Sequence, residues 1–357
     1  MKIGKATRSY EDWLGKHLRI VPRDLQYKHE AMATSPFIFF RGTFYRWAQC
    51  WRECAGDLAN APEVLAVGDL HVENFGTWRD SEGRLVWGVN DFDEAYPLPY
   101  TNDLVRLAAS VYLAIDGNHL AVDPRDVGDA ILAGYAEAIR TGGRPWVLAE
   151  EHVWLRRIAL SELRDPVRFW EKIGALPTLT RPLPADVRRA LEKMMPARGL
   201  RYRLAPRRAG VGSLGRERYV AIAECHGGKV AREAKAMAPS AWVWACGAKG
   251  KKSMYQKIID RATREADPFV EARDGWVVRR LAPDCSRIEL SALPKQRDER
   301  RLLYAMGWET ANIHLGTGKA RRALQTDLRR RPKGWLRASA QVMVDLTLRD
   351  WKEWRKG

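Results

Sequence analysis

Cysteine is scarce and unpaired in this sequence: Cys50, Cys54, Cys225, Cys246 and Cys285 are scattered, an odd number with no C-x-x-C pair. That argues against a disulfide framework and against a thiolate zinc site, and it suits a reducing compartment. Long hydrophobic runs are lacking too. The opening stretch MKIGKATRSYEDWLGKH has no apolar core for secretion, and no later segment approaches the ~18 apolar residues needed to cross a bilayer. The expectation is a soluble, cytoplasmic protein without membrane insertion. Internal repeats and low-complexity tracts are absent as well, which leaves out solenoids and disordered tails. Negative charge is in deficit, with 44 Asp and Glu against 61 Lys and Arg and a formal net charge of +17.

What is present is a folded chain. Its 357 residues can bury a large core, and a 46% hydrophobic content with 15 tryptophans separates it from disordered sequences. The positive balance attracts phosphates, nucleic acid or anionic surfaces without choosing among them. Basic clusters at Arg201–Arg208, Gly247–Lys252 and Arg329–Arg337 read as solvated surface. A basic nucleic-acid-binding protein is one alternative, and it predicts steeply salt-dependent binding, but no DNA- or RNA-binding motif accompanies the charge.

The first sixty residues read as helical, with FFRGTFYRWAQCWREC carrying aromatics at helical spacing. EVLAVGD and RLVWGVND read as two strands of a hairpin-like pair around a polar RDSEG turn. Helical patterns follow from Thr101 to about Lys193, including PWVLAEEHVWLRRIALSEL and PADVRRALEKMM. From about Leu200 the texture becomes β, with glycine turns. A polar helix (KKSMYQKIIDRATREA), a strand (GWVVRRLAP) and closing helices complete the chain. The division expected is 1–199, helices with a small acidic hairpin; 200–296, mostly β; and 297–357, helices returning to the first part.

Against the basic background, VGDLHVENFGTW (Val67–Trp78) and VNDFDEAY (Val89–Tyr96) gather Asp69, His71, Glu73, Asn74, Asp91, Asp93 and Glu94. Asp69 and Asn74 stand in D-x-x-x-x-N spacing, that of a kinase catalytic loop whose Asp accepts a hydroxyl proton and whose Asn holds Mg²⁺. The NDFDE element puts further carboxylates at the end of the next strand. A divalent cation and nucleotide phosphates would make such crowding favourable. The plain alternative is a polar turn in which Asp69 and Asn74 satisfy backbone donors. His71 either orients Asp69, contacts substrate or simply packs.

Downstream, GVGSLG (Gly210–Gly215) is G-x-G-x-x-G between two strand-like segments, the setting of a kinase glycine-rich loop; a tight turn is the alternative. RYVAIAEC and KVAREAKAM read as the next two strands, placing Lys235 where a phosphate-binding lysine would sit and Glu233 on the same face.

SPFIFFRG (Ser35–Gly42), GDLHVENFG, NDFDE, GVGSLG, KAMAPS and WVVRRLAP together resemble the bacterial domain of unknown function 2252 family, grouped with the protein-kinase-like and aminoglycoside-phosphotransferase-like superfamily. The resemblance implies an α+β, bilobal protein-kinase-like fold. Because the glycine-rich loop follows the catalytic loop, it implies a circular permutation, with catalytic loop and helical C-lobe first and β-rich lobe second. It implies Asp69 as catalytic base, with His71 and Arg41 beside it, and Asn74, Asp91 and Asp93 as metal contributors. Gly210, Gly212, Ser213, Gly215, Lys235 and Glu233 would serve the nucleotide phosphates, and Leu281 to Pro283 would meet adenine. Asp103 resembles the aspartate that braces the catalytic loop, a plain helix cap being its alternative, and His314 ends the helix that would normally lead into that loop. Val67 stands where relatives usually carry histidine, which makes Arg41 a candidate brace. The acidic partner of Lys235 is open between Asp260 and Glu265. The activity implied is ATP- and Mg²⁺-dependent phosphotransfer to a hydroxyl of a small molecule. The alternatives are a pseudokinase-like nucleotide binder and an adenylate transferase.

Overall fold

A computed structural model describes residues 1–148, 151–159, 165–248, 253–285 and 298–357. The expected helical start is found as α1 (Ile3–Leu14), α2 (Pro22–Thr34), α3 (Pro36–Gly42) and α4 (Phe44–Cys54). Pro22 and Pro36 occupy first turns, where a missing N–H costs nothing. Ser35 caps α3 by accepting the Phe37 N–H at 3.2 Å.

The two strands expected to pair with each other do not. β1 (Glu63–Ala66) runs antiparallel to β4 (Tyr96–Pro99), whereas β2 (Phe75–Arg79) forms the hairpin with β3 (Leu85–Val89). The segment FGTWR, hidden at the tail of the acidic motif, is β-favouring and buried from Phe75 to Trp78, so it takes the place opposite LVWGV. β5 (Trp146–Val147) joins the other edge of β3. That strand lies inside the stretch read as helix, where α7 begins only at Val153 and runs to Ala159.

Helix α5 (Tyr100–Asp116) threads the main core, its residues buried from Tyr100 to Ala114. Around it pack α6 (Val127–Thr141), α12 (Glu299–Leu315), α13 (Ala320–Arg330) and α14 (Trp335–Trp354). Helices α6 and α12 meet through facing glycines. A Cβ on Gly134 would lie 1.9 Å from the Tyr304 carbonyl oxygen, and one on Gly307 would lie 2.0 Å from that of Ile131.

The β-rich expectation is met by a five-stranded antiparallel sheet ordered β6 (Tyr202–Pro206), β7 (Arg218–Cys225), β8 (Gly228–Ala236), β10 (Trp276–Leu281) and β9 (Val270–Arg273). Alternation gives it two apolar faces. On one, α9 (Ala185–Lys193) sets Val187 and Leu191 against Tyr219, Ala234 and Trp276. On the other, α8 (Pro166–Gly174) sets Ile173 against Val220, Ala231 and Leu281. Both helices precede residue 200 in sequence, yet they pack on this sheet. The short helices α10 (Ala241–Cys246) and α11 (Tyr255–Arg261) bridge it to the helical core. The protein is thus a mixed α+β structure with several sheets. Among the described residues no helix is long and apolar enough to cross a membrane.

The α6–α12 contact yields a prediction. Gly307→Val drives a branched side chain into the Ile131 backbone and lowers unfolding free energy by about 3 kcal/mol, measured by urea titration. A midpoint unchanged from wild type would refute the close approach.

Candidate functional site

The loop from Val67 to Asn74 joins β1 to β2, and its shape is imposed from beneath. Asp103, in the first turn of α5, does not cap its own helix. Its carboxylate accepts the N–H of Val67 at 2.7 Å, of Gly68 at 2.9 Å and the Asn102 side-chain amide at 3.1 Å, and it meets His314 Nε2 at 3.0 Å. His314 Nδ1 in turn meets the Tyr135 hydroxyl at 2.8 Å. These side chains are wholly buried. The backbone at Val67 and Gly68 is therefore held by Asp103, itself in contact with His314 of α12, whereas Arg41, the brace expected from the sequence, pairs with Glu73.

Asp69 follows immediately. Its Oδ1 accepts from Arg106 Nε at 2.8 Å and also pairs with Arg106 Nη2. Arg106 is wholly buried one turn along α5 from Asn102, with its guanidinium 4.0 Å from the Phe40 ring and 4.8 Å from that of Trp47. Asp69 Oδ2 makes no hydrogen bond among the described residues and belongs to the wall of a cavity of about 580 Å³. Burial pushes the Asp69 carboxyl up to about 6, against the pull of Arg106.

His71 and Asn74 hold the loop's far end. His71 Nδ1 accepts the Glu73 N–H, and Asn74 Oδ1 accepts the His71 N–H, each at 3.2 Å. These are capping bonds of a short 3₁₀ turn, although both residues also line the cavity. Arg41 pairs with Glu73, so it steadies this end of the loop.

The second acidic element begins where β3 ends. Lys235, from β8, lies 3.3 Å from Asp91 Oδ1 and 2.6 Å from Asp93 Oδ1. These aspartates are its acidic partners; Asp260 accepts from Gln256, and Glu265 lies near Arg84. Arg216 holds the other side, 3.4 Å from Asp93 and 3.2 Å from Glu94. Burial works upward on Asp91, but Lys235 and Arg279 outweigh it, so Asp91 stays ionised well below the usual carboxylate range. Asp93 is raised by burial and by the charge of Asp91, and burial lifts Glu94 to about 7. Asp91 is 41% exposed and its Oδ2 has no hydrogen bond among the described residues, whereas Asp93 is enclosed by its two cations. Among those residues no three His, Cys, Asp or Glu side chains converge as a ready metal cage. A cation of the Mg²⁺ kind would need only one or two carboxylates and take further ligands from phosphate and water. Asp91 with Asn74 suits that role, and Asp93 does not.

The glycine-rich segment is the roof, connecting β6 to β7. A Cβ on Gly212 would stand 3.2 Å from the Arg41 carbonyl oxygen and 3.7 Å from Asp69 Oδ2. Gly210, Gly212 and Ser213 line the cavity. Gly215 instead packs on Leu25, and its carbonyl accepts the Val21 N–H at 2.8 Å. Glu233 shares the face of Lys235 but serves cations of the sheet: it pairs with Arg207, Arg218 (2.8 Å) and Arg279 (2.9 Å), which hold it well below its ordinary pKa despite complete burial. Leu281 lines the cavity's apolar end with Ile173, Leu176 and Phe169.

The structure thus brings Asp69, Asn74, Asp91, Asp93, Gly210, Gly212, Ser213 and Leu281 to one cavity, with Lys235 against its acidic wall. Sequence reasoning missed Arg106, Arg207, Arg216, Arg218 and Arg279. Arg207 belongs to a cluster read as solvated surface, and only its position beside a glycine loop hinted otherwise.

A family model described as an uncharacterized protein conserved in bacteria (DUF2252) matches residues 19–194 and 183–357. No curated protein and no solved structure matches.

Removing the brace has a defined expectation. Asp103→Ala strands the Val67 and Gly68 amides and costs about 3 kcal/mol of stability, read by chemical denaturation. A loss below ~1 kcal/mol would show that the loop holds itself.

Proposed function

We propose that this chain, which belongs to the bacterial family DUF2252, is an ATP- and Mg²⁺-dependent phosphotransferase of circularly permuted kinase-like construction, acting on a hydroxyl of a small molecule. The observation that carries the reading is the meeting of Lys235 with Asp91 at 3.3 Å, 144 residues apart in sequence, beneath a glycine-rich segment and beside Asp69. A cation-holding carboxylate and a base line one cavity, and a phosphate-gripping amine stands against the carboxylate wall, as phosphoryl transfer requires.

The permuted order has support of its own. The N–H of Leu65 in β1 donates to Thr317 Oγ at 2.7 Å, just beyond the end of α12. Joining α12 to β1 would give the order glycine loop, lysine, helix, catalytic loop, and such rearrangement is tolerated where ends lie close.

Asp69 presents Oδ2 to the cavity while Arg106 fixes Oδ1, so the free oxygen can accept an acceptor's hydroxyl proton without rotating away. Asp91 and Asn74 would hold Mg²⁺, whose charge neutralises the transferring phosphoryl oxygens. The segment around Gly212 lies over the same floor, and Lys235 is positioned to pass from Asp91 to a phosphate. No covalent intermediate is needed, because positioning and charge do the catalytic work.

The test uses ATP labelled at the α- or γ-phosphate, with Mg²⁺ and a panel of hydroxylated metabolites. Transfer of the γ-label supports the reading; α-label in product, or no turnover with any acceptor and with water, overturns it. Asp69→Asn should cut the rate ~10²- to 10⁴-fold while leaving binding of a nucleotide analogue intact, by calorimetry. Because the base must be ionised and burial raises Asp69 to about 6, activity should climb with pH through that value and level off above it. A rate flat from pH 5 to 7 would remove Asp69 from the role.

A further inference from the structure

Glu233 sits wholly buried at the centre of three guanidiniums. Arg218 stands opposite Lys235 in the β7–β8 register, Arg207 follows β6 and donates its N–H to the Arg218 carbonyl at 3.1 Å, and Arg279 stands opposite Glu233 on β10. One carboxylate among three cations leaves positive charge in excess around Glu233, with Arg218 buried, Arg207 and Arg279 about a quarter exposed, and Asp91 acting on Arg279 as well. A guanidinium has five N–H donors, and few are used here. Arg218 gives one nitrogen to Glu233 and another to Ser213 Oγ at 2.7 Å. Arg279 donates only through Nε, and Arg207 only through Nη1, among the described residues. All three arginines line the 580 Å³ cavity, and Arg168 and Lys172, one turn apart on α8, line it from the opposite side.

Such a cluster is more cationic than folding requires. A buried carboxylate needs one guanidinium for neutrality; the second and third repel each other unless an anion completes the set. Forked donors at fixed spacing suit a tetrahedral oxyanion that accepts several hydrogen bonds at once. The acidic floor is paired directly with Lys235, Arg216, Arg106 and Arg41, and Arg279 acts on its Asp91 without a direct ion pair. The unused donors therefore face the ligand space.

We propose that Arg207, Arg218 and Arg279, organised by Glu233, form a guanidinium phosphate subsite that works without a metal. The subsite stands on this geometry alone. Whether its phosphate belongs to the donor's triphosphate or to a phosphorylated acceptor is a question that rests on the phosphotransfer reading.

The experiment is calorimetry on the full chain with inorganic phosphate and tripolyphosphate, both metal-free. Phosphate is then titrated again into protein loaded with Mg²⁺ and a non-hydrolysable ATP analogue. Both probes should bind without metal, and Arg279→Gln or Arg207→Gln should weaken them ~10-fold or more, with circular dichroism confirming the fold. Arg279→Lys, which keeps charge but not the fork, should fall between. If either glutamine variant fails to fold, Arg168→Ser with Lys172→Ser on the exposed face of α8 replaces it, with weaker binding again expected. Phosphate binding that survives the analogue assigns the subsite to an acceptor, and displacement assigns it to the donor; either supports it. Absence of metal-free binding, or equal affinity in wild type and the folded variants, overturns it. An analogue that fails to bind while phosphate binds would sink the phosphotransferase reading and leave the subsite standing.

Discussion

The constraint on which the site depends is that its acidic floor and cationic roof come from segments 122 to 144 residues apart and must meet largely out of bulk water. Lys235 reaches down from β8 to Asp91 and Asp93, and Arg216 reaches down to Asp93 and Glu94. Pairs of this kind contribute little net stability, since removing two charges from water costs about what their attraction returns. They do fix which surfaces face each other, because a misregistered roof would leave each charge alone in a poor solvent. Folding of the five-stranded sheet against the helical body is therefore a matter of electrostatic register as much as of apolar area.

The same principle governs the cations that are buried. Several cations leave the surface: Arg106 is wholly buried, and Arg216, Arg218, Arg232 and Lys235 are nearly so. Each is lodged by specific partners. Aromatic rings hold Arg106, and Arg232 has the Met194 carbonyl and the Phe269 ring. Guanidinium suits this use because it is weakly hydrated and can stack and fork together. Among the described residues buried Asp and Glu offset buried Lys and Arg, so the net charge of +17 lies with residues outside this buried set.

The acidic loop, NDFDE, the glycine segment and Lys235 were legible because their chemistry is local: each is a short motif whose residue types and spacing already limit its use. The strand pairing was not legible. EVLAVGD and RLVWGVND carry stronger apolar signals than FGTWR or YPLP, yet register is decided by which segments topology leaves adjacent. Arg106 was invisible for a related reason, as an arginine in a helix of alanines and leucines gives no sign that it will lie beneath Asp69, 37 residues away. Glu233 shows the converse. Alternation put it correctly on the face of Lys235, but its partners lie on β7 and β10 and in the segment after β6, so its task as organiser of arginines depended on strand order. Helices α8 and α9 read correctly as amphipathic, but periodicity does not say which core a helix will join.

Asp69 shows how these layers converge on one atom. A carboxylate in a cavity wall gains nothing from burial alone, which would merely protonate it. Arg106 opposes that, and by bonding through two nitrogens to one oxygen it also settles which oxygen remains free. Arg106 can do so because Phe40, Phe44 and Trp47 give its guanidinium ring faces in place of water. Those rings lie on α3 and α4, within the aromatic stretch that a sequence reading assigns to simple packing. Meanwhile Asp103 and His314 hold the backbone on which Asp69 rides. The orientation of one carboxylate is thus set jointly by α3, α4, α5 and α12, so substitutions far from the cavity in sequence should alter Asp69 before they alter the fold.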